Sequence, residues 1–235
     1  MGEVLFPRVV QKVTEPGLVL DPVFSNNTWG MIIRACQKNE VPTTWTVGAQ
    51  KTVAINGVDY VVDIIGKNHD DYADGSGKAP LTFQMHDCYG TAQTMNSADT
   101  NVGGWRDTPM RKKTLPDILT LMPAEFQSGI REVSKKTSAG NMSESIITTA
   151  DKLFLLSTAE VVGDHAYAFS GEGDRYEYYI AGNSDIKSAN GEPVNWSVRS
   201  PYVSDRYSFC YITYYGGLSY YESHELLHIS FAFCF

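Results

Sequence analysis

Near its end the chain reads Ile229-Ser230-Phe231-Ala232-Phe233-Cys234-Phe235, a strict alternation of bulky apolar residues with small ones. Successive side chains of a strand point to opposite faces, so this spacing predicts a strand with one heavily aromatic face. A strand this apolar belongs in the core sheet of the fold. A second apolar strand is expected over Asn195 to Arg199, where Trp196 and Val198 share the same spacing. Whatever lies between these two is held at both ends by core elements.

The remaining elements follow from local signals. Val4 to Val13 reads as a strand broken by Pro7, and Glu15-Pro16-Gly17 marks a turn. Trp29, Ile32, Ile33 and Cys36 recur at helical spacing, with Ser25, Asn26 or Asn27 able to cap the helix and Pro42 lying beyond its end. Trp45 to Ile55 and Val58 to Ile65 flank Asn56-Gly57, a pair suited to a turn in which both residues take positive φ, so they form a hairpin. Asn68 to Pro80 reads as a surface loop, Leu81 to Met85 as a strand, and Tyr89 to Gly104 as a polar, turn-rich stretch. Trp105 to Met122 is a helical region, and Pro123-Ala124-Glu125 opens a second short helix. Ile130 to Val133 is a candidate strand, Ser138 to Ser145 a polar loop, and Lys152 to Leu156 a buried strand. Ser157-Thr158-Ala159-Glu160 has the spacing of a capping box. No repeat and no linker interrupts the pattern. The expectation is α+β: an N-terminal strand or arm over residues 1–24, then a single domain over 25–235.

Charge narrows the classes of partner. The net charge of −8 provides no global basic field for nucleic acid or an anionic membrane. Arg111-Lys112-Lys113 and Lys135-Lys136 are short basic groups that read as solvated faces. The first residues, Met1 to Arg8, lack the pattern of a secretory signal, and Phe6 stands where a myristoylation motif needs Ser or Thr. No run of about eighteen apolar residues suggests a membrane span. Work outside a cell would therefore need another particle or route to carry the protein there.

The segment from Tyr202 to His228 is the compositional anomaly. Seven of the chain's fourteen tyrosines fall in these 27 residues, at positions 202, 207, 211, 214, 215, 220 and 221, and Lys, Gln, Met and Trp are absent. Tyrosine offers a large amphipathic contact area at low cost in rotamer entropy, while Ser and Gly add adaptable hydrogen bonding, as in antibody-like surfaces. Composition alone is equally compatible with tyrosines paving an exposed sheet. The bracketing core strands tip the reading toward a rigidly held site, which lowers the ordering cost of binding.

Six short motifs in order carry a family likeness: Thr28-Trp29; Trp45-Thr46-Val47-Gly48; Gly103-Gly104-Trp105-Arg106 with Met110-Arg111; Leu153-Phe154-Leu155-Leu156-Ser157 with Glu160-Val161; Trp196-Ser197-Val198-Arg199-Ser200-Pro201; and Ile229-Ser230-Phe231-Ala232-Phe233-Cys234. Over residues 25 to 235 the chain resembles the variable proteins of diversity-generating retroelements, those of phage and gut bacteria with a C-type lectin fold. The resemblance implies a C-type lectin-like domain over 25–235 whose variable binding segment is 202–228. In that family adenine-directed mutagenesis rewrites AAY codons, which cannot yield Lys, Gln, Glu, Met or Trp; Glu222 and Glu225 depart from that pattern. The implied binding face comprises Tyr202, Ser204, Asp205, Arg206, Tyr207, Tyr211, Thr213, Tyr214, Tyr215, Ser219, Tyr220, Tyr221, Ser223, His224 and His228, with Phe209, Ile212, Gly216 and Leu218 as interleaved scaffold. The implied partner is a protein or glycan on a target cell surface, without nucleic acid or membrane insertion. The implied location is a virion or another display route outside the cell, with the N-terminus free to attach to a larger particle.

Other chemistry is expected to be absent: no cofactor, no metal and no catalytic residue. Cys36, Cys88, Cys210 and Cys234 form no metal-ligand pattern and are taken as free thiols, although a Cys210–Cys234 disulfide is compatible with the sequence. Calcium would need converging oxygen ligands. Glu192-Pro193-Val194-Asn195 has Val194 in the way, and Asp70, Asp71 and Asp74 read as a solvated loop. The rival reading is an enzyme on the same fold, of the formylglycine-generating or another cysteine-dependent kind, using Cys88 or Cys210. His86-Asp87-Cys88 is the one Cys/His arrangement near enough to consider.

Overall fold

The computed structural model describes residues 17–235, so the strand expected between Val4 and Val13 lies outside the described residues. The architecture is mixed α/β and mostly sheet. Its longest described helix, α1 (Trp29–Gln37), has nine residues, and no described helix is long and apolar enough to cross a membrane. Two five-stranded sheets dominate. The first runs, in order across the sheet, β1 (Gln50–Ile55), β2 (Val58–Gly66), β3 (Thr82–Met85), β14 (Phe231–Cys234) and β7 (Leu153–Leu155), with antiparallel neighbours throughout. The second runs β12 (Leu218–Glu222), β11 (Ser208–Ile212), β10 (Trp196–Pro201), β13 (Leu226–Ile229) and β4 (Gln93–Thr94), where β10 and β13 are parallel. Two ribbons complete the strands: β5 (Val133–Ser138) with β6 (Ile146–Asp151), and β8 (Lys187–Ala189) with β9 (Glu192–Val194).

The alternating run near the end of the chain serves both sheets. It was expected to be one strand, yet Ile229 ends β13 in the second sheet and Phe231 begins β14 in the first. Ser230 lies at the crossing, buried, and its hydroxyl donates to the Met85 carbonyl at 2.9 Å. The aromatic face is present: Phe233 packs on Phe83 at 5.4 Å and on Phe126 at 5.7 Å, and Phe235 packs on Trp29 at 6.0 Å. Edge-to-face and offset ring pairs of this kind add to the burial of large apolar area.

Local signals place several elements as expected. Ile55 pairs with Val58 across the hairpin, and Asn56 and Gly57 take φ of 51° and 77°, the left-handed values that its two-residue turn requires. Ser157 and Glu160 close a reciprocal capping box at the start of α5 (Thr158–Val162). The expected helical region splits into α2 (Gly104–Asp107), a π-helical turn over Met110–Thr114, and α3 (Leu115–Thr120), followed by α4 (Ala124–Gly129). The last described helix is α6 (Glu177–Ile180).

Four expectations need correction. The α1 cap is Thr28, whose side chain accepts from Met31 N. Asn27 is instead buried and ties its amide to the carbonyls of Asp21, Val23 and Phe24. Upstream of it, Leu18, Leu20 and Phe24 pack on the core and Trp45 Nε1 donates to the Asp21 carbonyl at 3.0 Å. The strand expected at Ile130–Val133 falls instead over Val133–Ser138. As a result Lys135 points inward while Lys136 stays exposed, so the Lys135-Lys136 pair is not a solvated face. Finally, Asp70 is buried, although its loop looks solvated. Lys135 Nζ lies 2.6 Å from both Asp70 and Glu160, and Arg199 reaches Glu160 at 2.6 Å. Burial works against the Asp70 carboxylate, but Lys135 overcomes it and holds the group down at about 2.

Candidate functional site

All four exposed tyrosines of the chain lie within residues 202–228: Tyr215 at 65%, Tyr214 at 56%, Tyr220 at 45% and Tyr207 at 40%. The hydroxyls of Tyr214, Tyr215 and Tyr220 have no hydrogen-bond partner among the described residues. An exposed ring with a spare hydroxyl presents both apolar area and an unspent polar group.

The second sheet arranges these residues in two patches. One sits at the β11–β12 hairpin tip. The turn over residues 213–217 is locked by Thr213, whose Oγ1 accepts from Gly217 N at 2.7 Å, while Gly216 takes a φ of +83°. Tyr214 and Tyr215 project from it with their rings edge to face at 5.0 Å. Tyr214 N donates to Asn195 Oδ1 at 2.8 Å, pinning the tip to the residue that links β9 and β10. A shallow groove lined by Pro193, Val194, Asn195, Tyr214, Leu226, Leu227 and His228 runs beside it, and Leu226 is exposed.

The second patch is built on Tyr220. Its ring lies flat against Tyr202, with centroids 3.9 Å apart and planes 4° from parallel, and Tyr167 meets both rings edge-on at 5.5 and 5.9 Å. Nearby, Arg206 Nε donates to the Tyr207 hydroxyl at 2.9 Å. Asp205 is a turn residue that accepts from Tyr207 N, Ser208 N and Ser208 Oγ. Ser204 and Arg206 are exposed beside it.

Strand alternation removes part of the expected face. Tyr220 and Tyr221 are neighbours in β12 and point to opposite sides. Tyr221 is buried, shares a hydrogen bond with Ser197 Oγ at 2.8 Å and belongs to the core. Thr213 and Ser223 are buried as well. Ser223 Oγ donates to the Ala98 carbonyl and accepts from Thr100 N, so its task is to hold the 96–101 loop. Tyr211 and Ser219 pair across the strands and lie, half-buried, on Tyr221's side of the sheet. His224 is exposed and His228 half-buried. Of the expected scaffold residues, Phe209 and Ile212 are fully buried. Tyr167 carries no local signal of this role and joins the patch from 35 residues upstream of Tyr202 through tertiary packing alone.

The thiols are not poised for chemistry. All four cysteines are free and buried, and burial pushes Cys36 and Cys88 up to about 12 and raises Cys210 and Cys234 well above the ordinary thiol range. His86 does not face a thiolate; its Nδ1 hydrogen-bonds the buried Asp63 at 2.8 Å, which raises its basicity. The acidic loop is also committed. Asp70 pairs with Lys135, Asp71 with Lys78 at 3.0 Å, and Asp74 with Arg131 at 2.7 Å.

Fold and surface together define a sheet-dominated mixed α/β domain with an exposed tyrosine-rich edge. The chain belongs to the family described as Domain of unknown function (DUF6273), whose model matches residues 81–234 and so takes in the whole tyrosine-rich segment. No curated protein and no solved structure matched the chain.

Proposed function

We propose that this protein is a non-enzymatic binder that engages a protein or glycan on a target cell surface through Tyr207, Tyr214, Tyr215 and Tyr220. The observation that carries the reading is the placement of every exposed tyrosine on one 27-residue segment. Such rings can act as hot spots once a partner excludes water from them. Their scaffold is rigid, since β12 is paired to β11, β11 is paired to the buried strand β10, and the hairpin tip is fixed by Thr213 and Asn195. The finer reading is a C-type lectin-like variable protein whose segment 202–228 is diversified, displayed on a virion or otherwise outside the cell and attached through its N-terminus. The alternative of a cysteine-dependent enzyme has only buried, protonated thiols to draw on.

The test is a combined replacement of Tyr207, Tyr214, Tyr215 and Tyr220 by alanine. Retained cooperative unfolding with lost binding to candidate host cells or an immobilised glycan panel is the expected result. Undiminished binding by a folded variant would sink the proposal. The diversification component has its own check: a near-copy of the segment's coding sequence carrying adenines at the mismatched positions, beside a reverse-transcriptase gene. Without that pair the surface is a fixed one.

A further inference from the structure

We propose that Asp99, Glu222 and His224 form a surface site for one divalent transition-metal cation at the rim of the tyrosine-rich surface. His224 Nδ1 lies 3.6 Å from Asp99 Oδ1 and 3.9 Å from Glu222 Oε2, and one donor atom of each residue falls within 4.8 Å of the others. Both separations exceed hydrogen-bond length. Donors held ~2.1 Å from a tetrahedral cation stand about 3.4 Å apart, so small rotations of three exposed side chains would close the site.

The three donors converge because of one buried residue. Ser223 sits between Glu222 and His224, points inward and binds both Ala98 O and Thr100 N, the two neighbours of Asp99. Asn96 N donates to the Ser223 carbonyl at 2.8 Å and adds a second tie. With Ser223 inside, Glu222 and His224 must project outward, and the loop fastened to it delivers Asp99 to the same place. The two carboxylates come together at this site, and among the described residues their ion pairs are with His224. Segment 202–228 has no lysine, and its single arginine, Arg206, is engaged with Tyr207. A divalent cation would relieve that repulsion.

Donor chemistry selects the class of ion. An imidazole with two carboxylates suits zinc, manganese, cobalt or nickel, whereas calcium and magnesium favour an all-oxygen shell. The buried cysteines offer no competing site. Three protein ligands leave coordination positions open for an oxygen donor from outside, such as a carboxylate or sugar hydroxyl on a bound partner. Glu222 and Tyr220 lie two residues apart on one side of β12, so the open positions adjoin the tyrosine patch. This last role rests on the binding reading above; the metal site itself does not. It also gives Glu222, which departs from the codon pattern of a diversified segment, a reason to be glutamate.

The decisive measurement is calorimetric titration of the chelator-treated full chain with Zn²⁺ alone. One equivalent binding in the micromolar range is expected. Glu222→Gln and His224→Ala should each weaken it at least tenfold with unchanged thermal unfolding, while His165→Ala, at an exposed histidine that packs on Tyr167 and is not one of the three donors, should leave it intact. Absence of zinc binding, or affinity untouched by both Glu222→Gln and His224→Ala, overturns the site. Cell or glycan binding that persists in chelator alongside absent zinc binding would remove the metal and leave the tyrosine reading standing. Zinc binding without any cell or glycan recognition would do the reverse.

Discussion

Tyr176 and Tyr179 in and beside α6 spend everything the residue has, whereas Tyr214 and Tyr215 at the hairpin tip spend almost nothing. The Tyr176 hydroxyl donates to the Asp70 carboxylate at 2.9 Å and accepts from Lys135 at 3.1 Å, and its ring stacks on His69 at 3.9 Å. Tyr179 donates to Gln84 Oε1 at 2.6 Å. Burial raises both phenols well above their ordinary value, so they stay neutral donors. The outer pair keeps its hydroxyls free and its rings in water. The same side chain is a structural strut in one region and an uncommitted contact surface in the other. What separates the two is whether another segment of chain covers it.

That contrast can be broken most severely at the interior end. Lys135→Met should leave the buried carboxylates of Asp70 and Glu160 without their shared cation, and a loss of about 3–5 kcal/mol in urea unfolding is expected. A loss below 1 kcal/mol would mean the cluster is not the constraint its geometry implies. Next comes pH. Burial raises the Glu172 carboxyl from 4.5 to about 7, against donors from Ser138 N and Ser200 Oγ that favour its charged form. As pH rises from the ordinary carboxylate range to about 7, the unfolded chain releases this proton and the folded chain keeps it. Glu172 therefore contributes stability at acid pH that is lost across that window, on the order of 3 kcal/mol. Asp70 has the opposite sign, and its contribution is lost as pH falls from 3.8 toward 2. Glu172→Gln should flatten the slope between pH 4.5 and 7 in thermal melts and leave the acid limb in place.

Smaller effects sharpen the comparison. Tyr179→Phe leaves Gln84 Oε1 without its donor in the interior and should cost about 1–3 kcal/mol by denaturant titration. Tyr215→Ala, at an exposed ring that lies against Tyr214 and Gly217, should change stability by less than about 0.5 kcal/mol. If the two substitutions cost the same, the division into struts and free surface is wrong.

The sequence disclosed local features well. Asn56-Gly57 needed only its own backbone, and the Ser157–Glu160 box needed only one helical turn. The alternation from Ile229 to Phe235 correctly placed an aromatic face in the core. It could not show that Ser230 carries the chain from one sheet to the other, because period two looks the same on either side of that crossing. Lys135-Lys136 read as a solvated pair for a related reason. A lysine on the inner side of a strand is tolerable only when its partners exist, and Asp70 and Glu160 come from positions 65 and 25 residues away.

The candidate surface shows the same limit within two adjacent residues. Composition singled out the segment from Tyr202 to His228 and placed Tyr220 and Tyr221 together on the expected face. Only tertiary structure decided which of the two faces is covered, burying Tyr221 against Ser197 and leaving Tyr220 to stack on Tyr202. Tertiary structure likewise brought Tyr167 to that stack and Asp99 to Glu222 and His224. Local backbone geometry is encoded within a few residues, so the chain declares its own turns, caps and periodicities. Burial and convergence are set by segments distant in sequence, so which tyrosines face outward was decided by the assembled fold.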